Sequence, residues 1–426
     1  RNQPLFDARW KPFFNIALKE HFKRDPLYAV REQAAKAFPA LPQGPKAFDF
    51  TKELVEPHLL SQRAKASARH AHLLKDVEVV FLLPNIVPHG GSLSVLQHVN
   101  ELLMRGVEAR VVALQQREPL SYPLLTGPII LSPEEFVALP WDHQKVIATI
   151  WSTAYLVKAV TLRAPHTTGY YYIQDYEPWF YPGEHQTFER EHASSSYELG
   201  LHGVAKTTFL KEAVESRHPC HVSQISPGIA DTVFYPGNQQ DHIGRPRIAA
   251  LFRPSVPRRG ASELLELLSK LTQKCPEVEI TLFGETGGIS SELAQRVNLV
   301  GTLSQSEVAE LYRQSDVCID LSQWHGFGRM GIESMACGVV PLLSNSGGIS
   351  EYAKHNENSI IVDRNSPDEV LSAALRLLFD RTFRMKLREE ALRTASTYSE
   401  ENATSDWIKL FQGSSAQDSE QPPRYA

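Results

Sequence analysis

Residues Ser315 to Glu351 read SDVCIDLSQWHGFGRMGIESMACGVVPLLSNSGGISE. Val317–Ile319 is a short apolar run of the kind that forms a buried strand, and the Gly326-Phe327-Gly328 loop interrupts it. Met330 to Ala336 resumes with helical spacing until Gly338 stops it. Val339 to Leu343 is a second buried run, and Gly347-Gly348 opens a further helix. The sequence therefore reads strand, glycine loop, helix, strand, glycine loop, helix. That order predicts two glycine-lined helix N-termini at the carboxyl edge of a parallel sheet, a place suited to an anion.

Outward from this stretch, the chain has 426 residues, too many for one ordinary core, and two α/β domains are expected. A content of 42% hydrophobic and 22% charged residues fits a globular protein. The net charge of −5 gives no reason to expect nucleic acid as a partner. Cys220, Cys275, Cys318 and Cys337 form no CxxC pair and no metal-ligand spacing. They read as free thiols in a reducing compartment, and no metal or cofactor is expected. No signal peptide is visible. Ile147 to Leu162 is the longest apolar run, and Lys158 within it favours a buried helix over a membrane span.

The expected division is an N-terminal extension (1–75), a first Rossmann-like domain (76–240) and a second (241–396). A C-terminal helix (397–413) packing back on the first domain and a loose tail (414–426) complete it. The extension carries 14 Lys and Arg against 7 Asp and Glu. Trp10, Phe13, Phe14, Ala17, Leu18 and Phe22 fall at helical spacing with Lys11, Lys19, Lys23 and Arg24 between them. Such a helix can lie on an anionic membrane or pack its aromatic stripe on a neighbouring domain, and the second is favoured modestly.

In the first domain, a strand at Val77–Leu83 leads through Pro88-His89-Gly90-Gly91 into a helix from Leu93. Gly91 would let a backbone approach an anion there, although the spacing is not that of a dinucleotide fingerprint. A strand over Tyr170–Ile173 ends in Gln174-Asp175-Tyr176-Glu177-Pro178-Trp179. Carboxylates and aromatic faces at a strand's carboxyl end suit a polyol. In the second domain, the strand Ile248–Phe252 delivers Arg253 to its end, and Arg259-Gly260 opens the next helix. Confining several guanidinium groups in one loop is costly without an anion, and a diphosphate matches their planar forks, although on position alone a solvated basic loop fits equally well.

These residues resemble the glycosyltransferases of family 4. The resemblance rests on Arg253, Arg259-Gly260, Phe283-Gly284-Glu285 and Gly301-Thr302-Leu303. It continues through Gly326-Phe327-Gly328, Glu333 to Gly338, Gly347-Gly348-Ile349 and Glu351, covering about Ile248 to Ser396. The first domain matches more loosely. The resemblance implies the GT-B fold, two Rossmann-like domains facing across a cleft, and transfer of a sugar from a nucleotide diphosphate with retention of configuration and without a metal. It further implies a donor site of Gly90, Gly91, Arg253, Arg259, Phe283, Leu303, His325, Phe327, Gly328, Arg329, Met330, Gly331 and Glu333. The acceptor side would use Gln174, Asp175, Glu177 and Trp179. Asp175, Arg253, Arg259 and His325 are the candidates for the chemistry, with Asp175 the best candidate base.

The loop from Gln174 to Pro182 most resembles bacterial polysaccharide rhamnosyltransferases, which implies dTDP-β-L-rhamnose as donor. A hexosyltransferase using GDP-mannose or a UDP-sugar is one alternative, and a non-catalytic GT-B binding subunit is another. The acceptor is expected to be a growing surface glycan, lipid-linked or free, handled in the cytoplasm or at the inner face of the membrane. Pairing of two copies is left open. One position departs from the pattern. The family has two glutamates eight positions apart, and here the first is His325 while the second is Glu333.

Overall fold

The computed structural model describes residues 74–86, 90–116, 122–237 and 244–420. The aromatic and basic stripe of the extension, the loop at 87–89 and the expected linker around 239–241 lie outside the described residues. The chain divides into two units. One runs up to Ala205 and includes Lys211–Ser223, and the other comprises Lys206–Leu210 and everything from Gln224 onward.

The first unit contains β1 (Val79–Leu83), α1 (Gly90–Met104), β2 (Ala109–Ala113), β3 (Ile129–Ile130) and α2 (Pro133–Ala138). There follow β4 (Lys145–Ala148), α3 (Trp151–Arg163), β5 (Thr168–Ile173), α4 (Thr187–Ser195) and β6 (His202–Ala205). The helix α5 (Thr208–Glu215) and the strand β7 (Val222–Gln224) straddle the division. The strand order is β3-β2-β1-β4-β5-β6-β7. The run expected as one helix, Ile147 to Leu162, instead supplies the end of β4 and then α3. It breaks at Thr149–Ile150, where Thr149 Oγ1 donates to Leu82 O across the sheet and the helix begins afresh.

The second unit contains β8 (Arg247–Phe252), α6 (Ala261–Lys274), β9 (Glu279–Gly284), α7 (Ser291–Ala294), β10 (Asn298–Gly301) and α8 (Gln305–Arg313). It continues with β11 (Val317–Asp320), α9 (Arg329–Ala336), β12 (Val340–Ser344), β13 (Ile360–Val362), α10 (Pro367–Phe379), α11 (Arg381–Ala395) and α12 (Glu400–Glu420). Its sheet runs β10-β9-β8-β11-β12-β13, with every ladder parallel. Both sheets thus reverse direction beside their first strand, the doubly wound arrangement.

Alternation along the strands explains why both faces of the second sheet are dry. Ile248, Ala250 and Phe252 join Val317, Ile319, Val340 and Leu342 in one core with α6 and α10. Ala249, Cys318 and Leu343 point the other way, into a core with α8, α9 and α11. A sheet covered on both sides needs such continuous apolar strands. Cys318 and Cys337 are buried free thiols.

Two expected boundaries shift. Ser226 to Phe234 belongs to the second unit, because Ser226 N donates to Asp406 Oδ2 (3.0 Å) and Ile229 N to Tyr398 O (2.9 Å). The C-terminal helix therefore packs on this segment within its own unit, with Trp407 fully buried. The expected loose tail is helical to Glu420, since Gly413 alone does not stop a run of helix-compatible residues. Residues 421–426 lie outside the description. Among the described residues no helix is long and apolar enough to cross a membrane, and no three ligand-type side chains cluster as for a metal ion.

Candidate donor site

In the second sheet the reversal falls between β8 and β11, so the ends of those strands frame the crevice where such folds bind ligands. Phe252 hands over to Arg253, whose Nε lies 3.9 Å from Glu285 Oε1. Glu285 is held by Ser255, which donates both its amide (3.1 Å) and its hydroxyl. A short 3-10 turn, Pro257–Arg259, then presents two guanidinium groups. Arg258 lies over the Trp324 ring at 4.5 Å and donates to Trp324 O. Arg259 points Nη1 at His325 Nδ1, 3.4 Å away. Burial and the nearby Arg259 both weigh against charge on Arg253 and lower its pKa, while Glu285 opposes the shift. Two arginines confined together in this way have the charge and the planar donors to hold an anion.

The turn is built around Gly260. Its φ is +64°, and a Cβ there would lie 2.0 Å from Leu321 O. The absence of a side chain lets the start of α6 press against the chain leaving β11. That chain ends in Asp320, a buried carboxylate that the sequence reading missed. Asp320 Oδ1 accepts from Ser322 N (3.0 Å) and Ser322 Oγ, and Oδ2 lies 3.8 Å from His325 Nε2. Burial pushes this carboxyl up, but His325, Arg259 and the two Ser322 hydrogen bonds together more than offset it and the pKa is lowered. An acid closing the otherwise apolar run Val-Cys-Ile was the available signal.

The two glycine loops of the opening stretch meet each other. Gly348 N donates to His325 O (2.8 Å), and a Cβ on Gly348 would lie 2.0 Å from Gly326 O. The second loop is a five-residue 3-10 turn, Gly347–Glu351, so its amide at Gly348 is spent inside the fold and does not await an anion. Thr207 Oγ1 donates to Gly326 O (2.8 Å), and Glu351 accepts from Thr208 N and Phe209 N at the start of α5. Only the first loop opens a regular helix, α9, with Gly328 at its N-cap.

Phe327 and Met330 are core residues: Phe327 packs against Tyr352 and Tyr398, and Met330 lies in the same cluster. Both side chains are buried in this core. Gly331 faces the Tyr352 hydroxyl, which donates to Gly328 O at 2.6 Å. Phe283 is buried edge-on to Tyr312, and Leu303 is partly buried against that core. Glu333 is buried and accepts from Arg329 Nε at 2.8 Å, while Arg329 Nη1 reaches Gly228 O. Burial raises the Glu333 pKa, and Arg329 opposes that.

In the first unit Gly90 and Gly91 open α1, and a Cβ on Gly91 would sit 3.5 Å from the buried Gln174 carboxamide. Asp175 is half-buried and its carbonyl accepts from the Tyr197 hydroxyl at 3.3 Å. Trp179 stands edge-on to Tyr176, with Arg217 over its ring at 5.6 Å. Glu177 is not available to an acceptor. It is 3% exposed, accepts from Trp151 N (2.8 Å) and the Tyr171 hydroxyl (2.7 Å), and so caps α3. Burial raises its pKa to about 8.

A stability test follows for this carboxylate. Folded Glu177 keeps its proton to about 8 while an unfolded glutamate loses it near 4.5. The folded state therefore holds the extra proton between those values, and this group's contribution to stability falls as pH rises through that window. Urea unfolding at several pH values should show this slope in the wild type and its loss in Glu177→Gln. Glu177→Ala, which strands a buried amide and a buried hydroxyl, should cost about 2–4 kcal/mol. A pH-independent wild type would contradict the assignment.

Residues 239–394 match the family described as glycosyl transferases group 1. Over 387 residues the chain is 26% identical to the O-antigen biosynthesis protein RfbC of Myxococcus xanthus, covering 86% of this chain and 29% of that protein. The D-inositol 3-phosphate glycosyltransferase of Nocardiopsis dassonvillei is 24% identical over 46% of this chain and 51% of its own length. The chain thus spans from under a third to about half of these curated relatives. Among solved structures, sucrose-phosphate synthase from Thermosynechococcus elongatus superposes with a TM-score of 0.65 at 16% identity, over 80% of this chain and 100% of that one. Anabaena Alr3699/HepE in complex with UDP and glucose gives 0.61 at 16% identity, over 81% of this chain and 100% of that one. The architecture is GT-B, two Rossmann-like α/β units, and residues 239–394 of the second are similar to the group 1 glycosyl transferases.

Proposed function

We propose that the chain is a hexosyltransferase that moves a sugar from a nucleotide diphosphate, a UDP-sugar or GDP-mannose, to a glycan acceptor in surface polysaccharide assembly. The observation that carries this is the pairing of Arg253 and Arg259 at the reversal point of the second sheet. The HepE structures are complexes with UDP and glucose and with UDP-glucose, and the Myxococcus relative is named for O-antigen biosynthesis. The rhamnose reading rested on the loop after β5, whose Glu177 is engaged in capping α3, so dTDP-rhamnose becomes an outcome of the test.

In this reading Arg253, Arg259 and the first amides of α9 hold the diphosphate, and Glu333, oriented by Arg329, takes the pentose. As the sugar–phosphate bond breaks, negative charge grows on the departing diphosphate, where the arginines stabilise it. Gln174, Asp175 and Trp179 serve the acceptor, with Asp175 the candidate base. Configuration is retained. Incubation with UDP-glucose, GDP-mannose and dTDP-rhamnose plus a lipopolysaccharide or capsule oligosaccharide should release one nucleotide diphosphate in an acceptor-dependent manner. The product should carry the donor's anomeric configuration by NMR. Donor binding without acceptor-dependent release would refute turnover, and an inverted product would refute retention.

A further inference from the structure

Asp320 and His325 form a pair for which the diphosphate seat alone gives no use. Asp320 Oδ2 is buried and makes no hydrogen bond, and His325 Nε2 faces it at 3.8 Å. On the other side of the ring, Arg259 Nη1 meets Nδ1 at 3.4 Å. Arginine can only donate, so Nδ1 accepts and the ring's proton sits on Nε2, toward Asp320. Charged groups that meet the ring include Asp320 at the end of β11 and Arg259 from the 257–259 turn, and Arg253 and Glu285 act on one another beside Arg259. The turn at Gly347 meets His325 through main chain, by Gly348 N to His325 O. The Tyr352 hydroxyl nearby is engaged with Gly328 O.

A diphosphate bound by Arg259 competes for the guanidinium N–H that His325 Nδ1 now accepts. Once that donor turns to phosphate oxygens, Nδ1 faces an anion while Asp320 stands behind Nε2. An imidazole between two anions favours its doubly protonated form. We infer that Asp320 is a positioning residue that, through His325, couples donor binding to the uptake of one proton. The proton comes from solvent onto Nδ1, and no other bond forms or breaks. The resulting imidazolium donates to the diphosphate or to the donor sugar. This inference rests on the proposed donor site.

The test is titration calorimetry of the full chain with UDP-glucose, GDP-mannose and dTDP-rhamnose at about pH 7.5, in two buffers of different ionisation enthalpy. The diphosphate diester of these probes does not titrate near the imidazole range, so proton exchange reports on the protein. The wild type should take up a proton, and where it does so its Kd should rise with pH by up to about tenfold per unit. Asp320→Asn should lose both the uptake and the pH slope. His325→Asn should behave alike, and supplies the variant should Asp320→Asn fail to fold. Equal apparent enthalpies in the two buffers, or undiminished uptake in either variant, would overturn the coupling while leaving the donor site standing. Failure of all three probes to bind the wild type would instead overturn the donor site and the coupling with it.

Discussion

Replacing Arg259 with alanine should lower kcat/KM for the nucleotide-sugar by about two to three orders of magnitude, with little change in thermal stability. Its Nη1 makes a long 3.4 Å contact to His325 and its buried Nε makes no hydrogen bond, so the folded protein loses chiefly a share of the positive charge facing Asp320, which His325 and Ser322 still hold. The transition state loses more, because a fixed positive charge aimed at a developing anion is worth about 3–4 kcal/mol. Lysine at the same position should restore charge but not the planar fork, and so recover only part of the rate. Steady-state kinetics beside a melting curve separate the two effects. An Arg259→Ala enzyme within tenfold of wild type would remove this residue from the seat.

The second large effect falls on folding. Gly260→Ala should destabilise the protein by about 3 kcal/mol or more, read from the urea midpoint. The new Cβ would lie 2.0 Å from Leu321 O and 2.6 Å from Leu321 C, at a left-handed φ of +64°. Both neighbours are main chain and cannot rotate away as a flexible side chain could. Relief requires moving the start of α6 or the segment leading from Asp320 to His325. Even if the variant folds, donor affinity should fall, because those two segments carry Arg259 and His325. A loss below about 1 kcal/mol would mean that the close approach is not maintained in solution.

The skeleton of the second unit was legible because its signals are local. Val317–Ile319 and Val339–Leu343 are apolar throughout, which buried parallel strands require, and Gly338 ends the helix between them. Arg253 was legible for the same reason, as a charge placed at the end of an apolar strand. What escaped depends on how segments meet. Asp320 closes such a strand too, but its pairing with His325 requires the turn at Ser322, which only the folded chain supplies. Phe327 sits between glycines like a ligand-contacting loop residue, yet its ring turns into the core beside Tyr352. Glu177 follows a strand end rich in polar groups, and the sequence alone does not reveal that the Trp151 amide and the Tyr171 hydroxyl close around it. Gly348 was recognised as a helix opener, but its amide is taken by His325 O.

The central claim is that Arg253 and Arg259 form the diphosphate seat of a nucleotide-sugar donor. Its most direct test is calorimetric titration of UDP-glucose, GDP-mannose and dTDP-rhamnose into the wild type and Arg253→Ala. The account predicts that one of the three binds the wild type and that Arg253→Ala weakens it by about a hundredfold. Binding of equal strength in both proteins, or of none of the three to either, would contradict it.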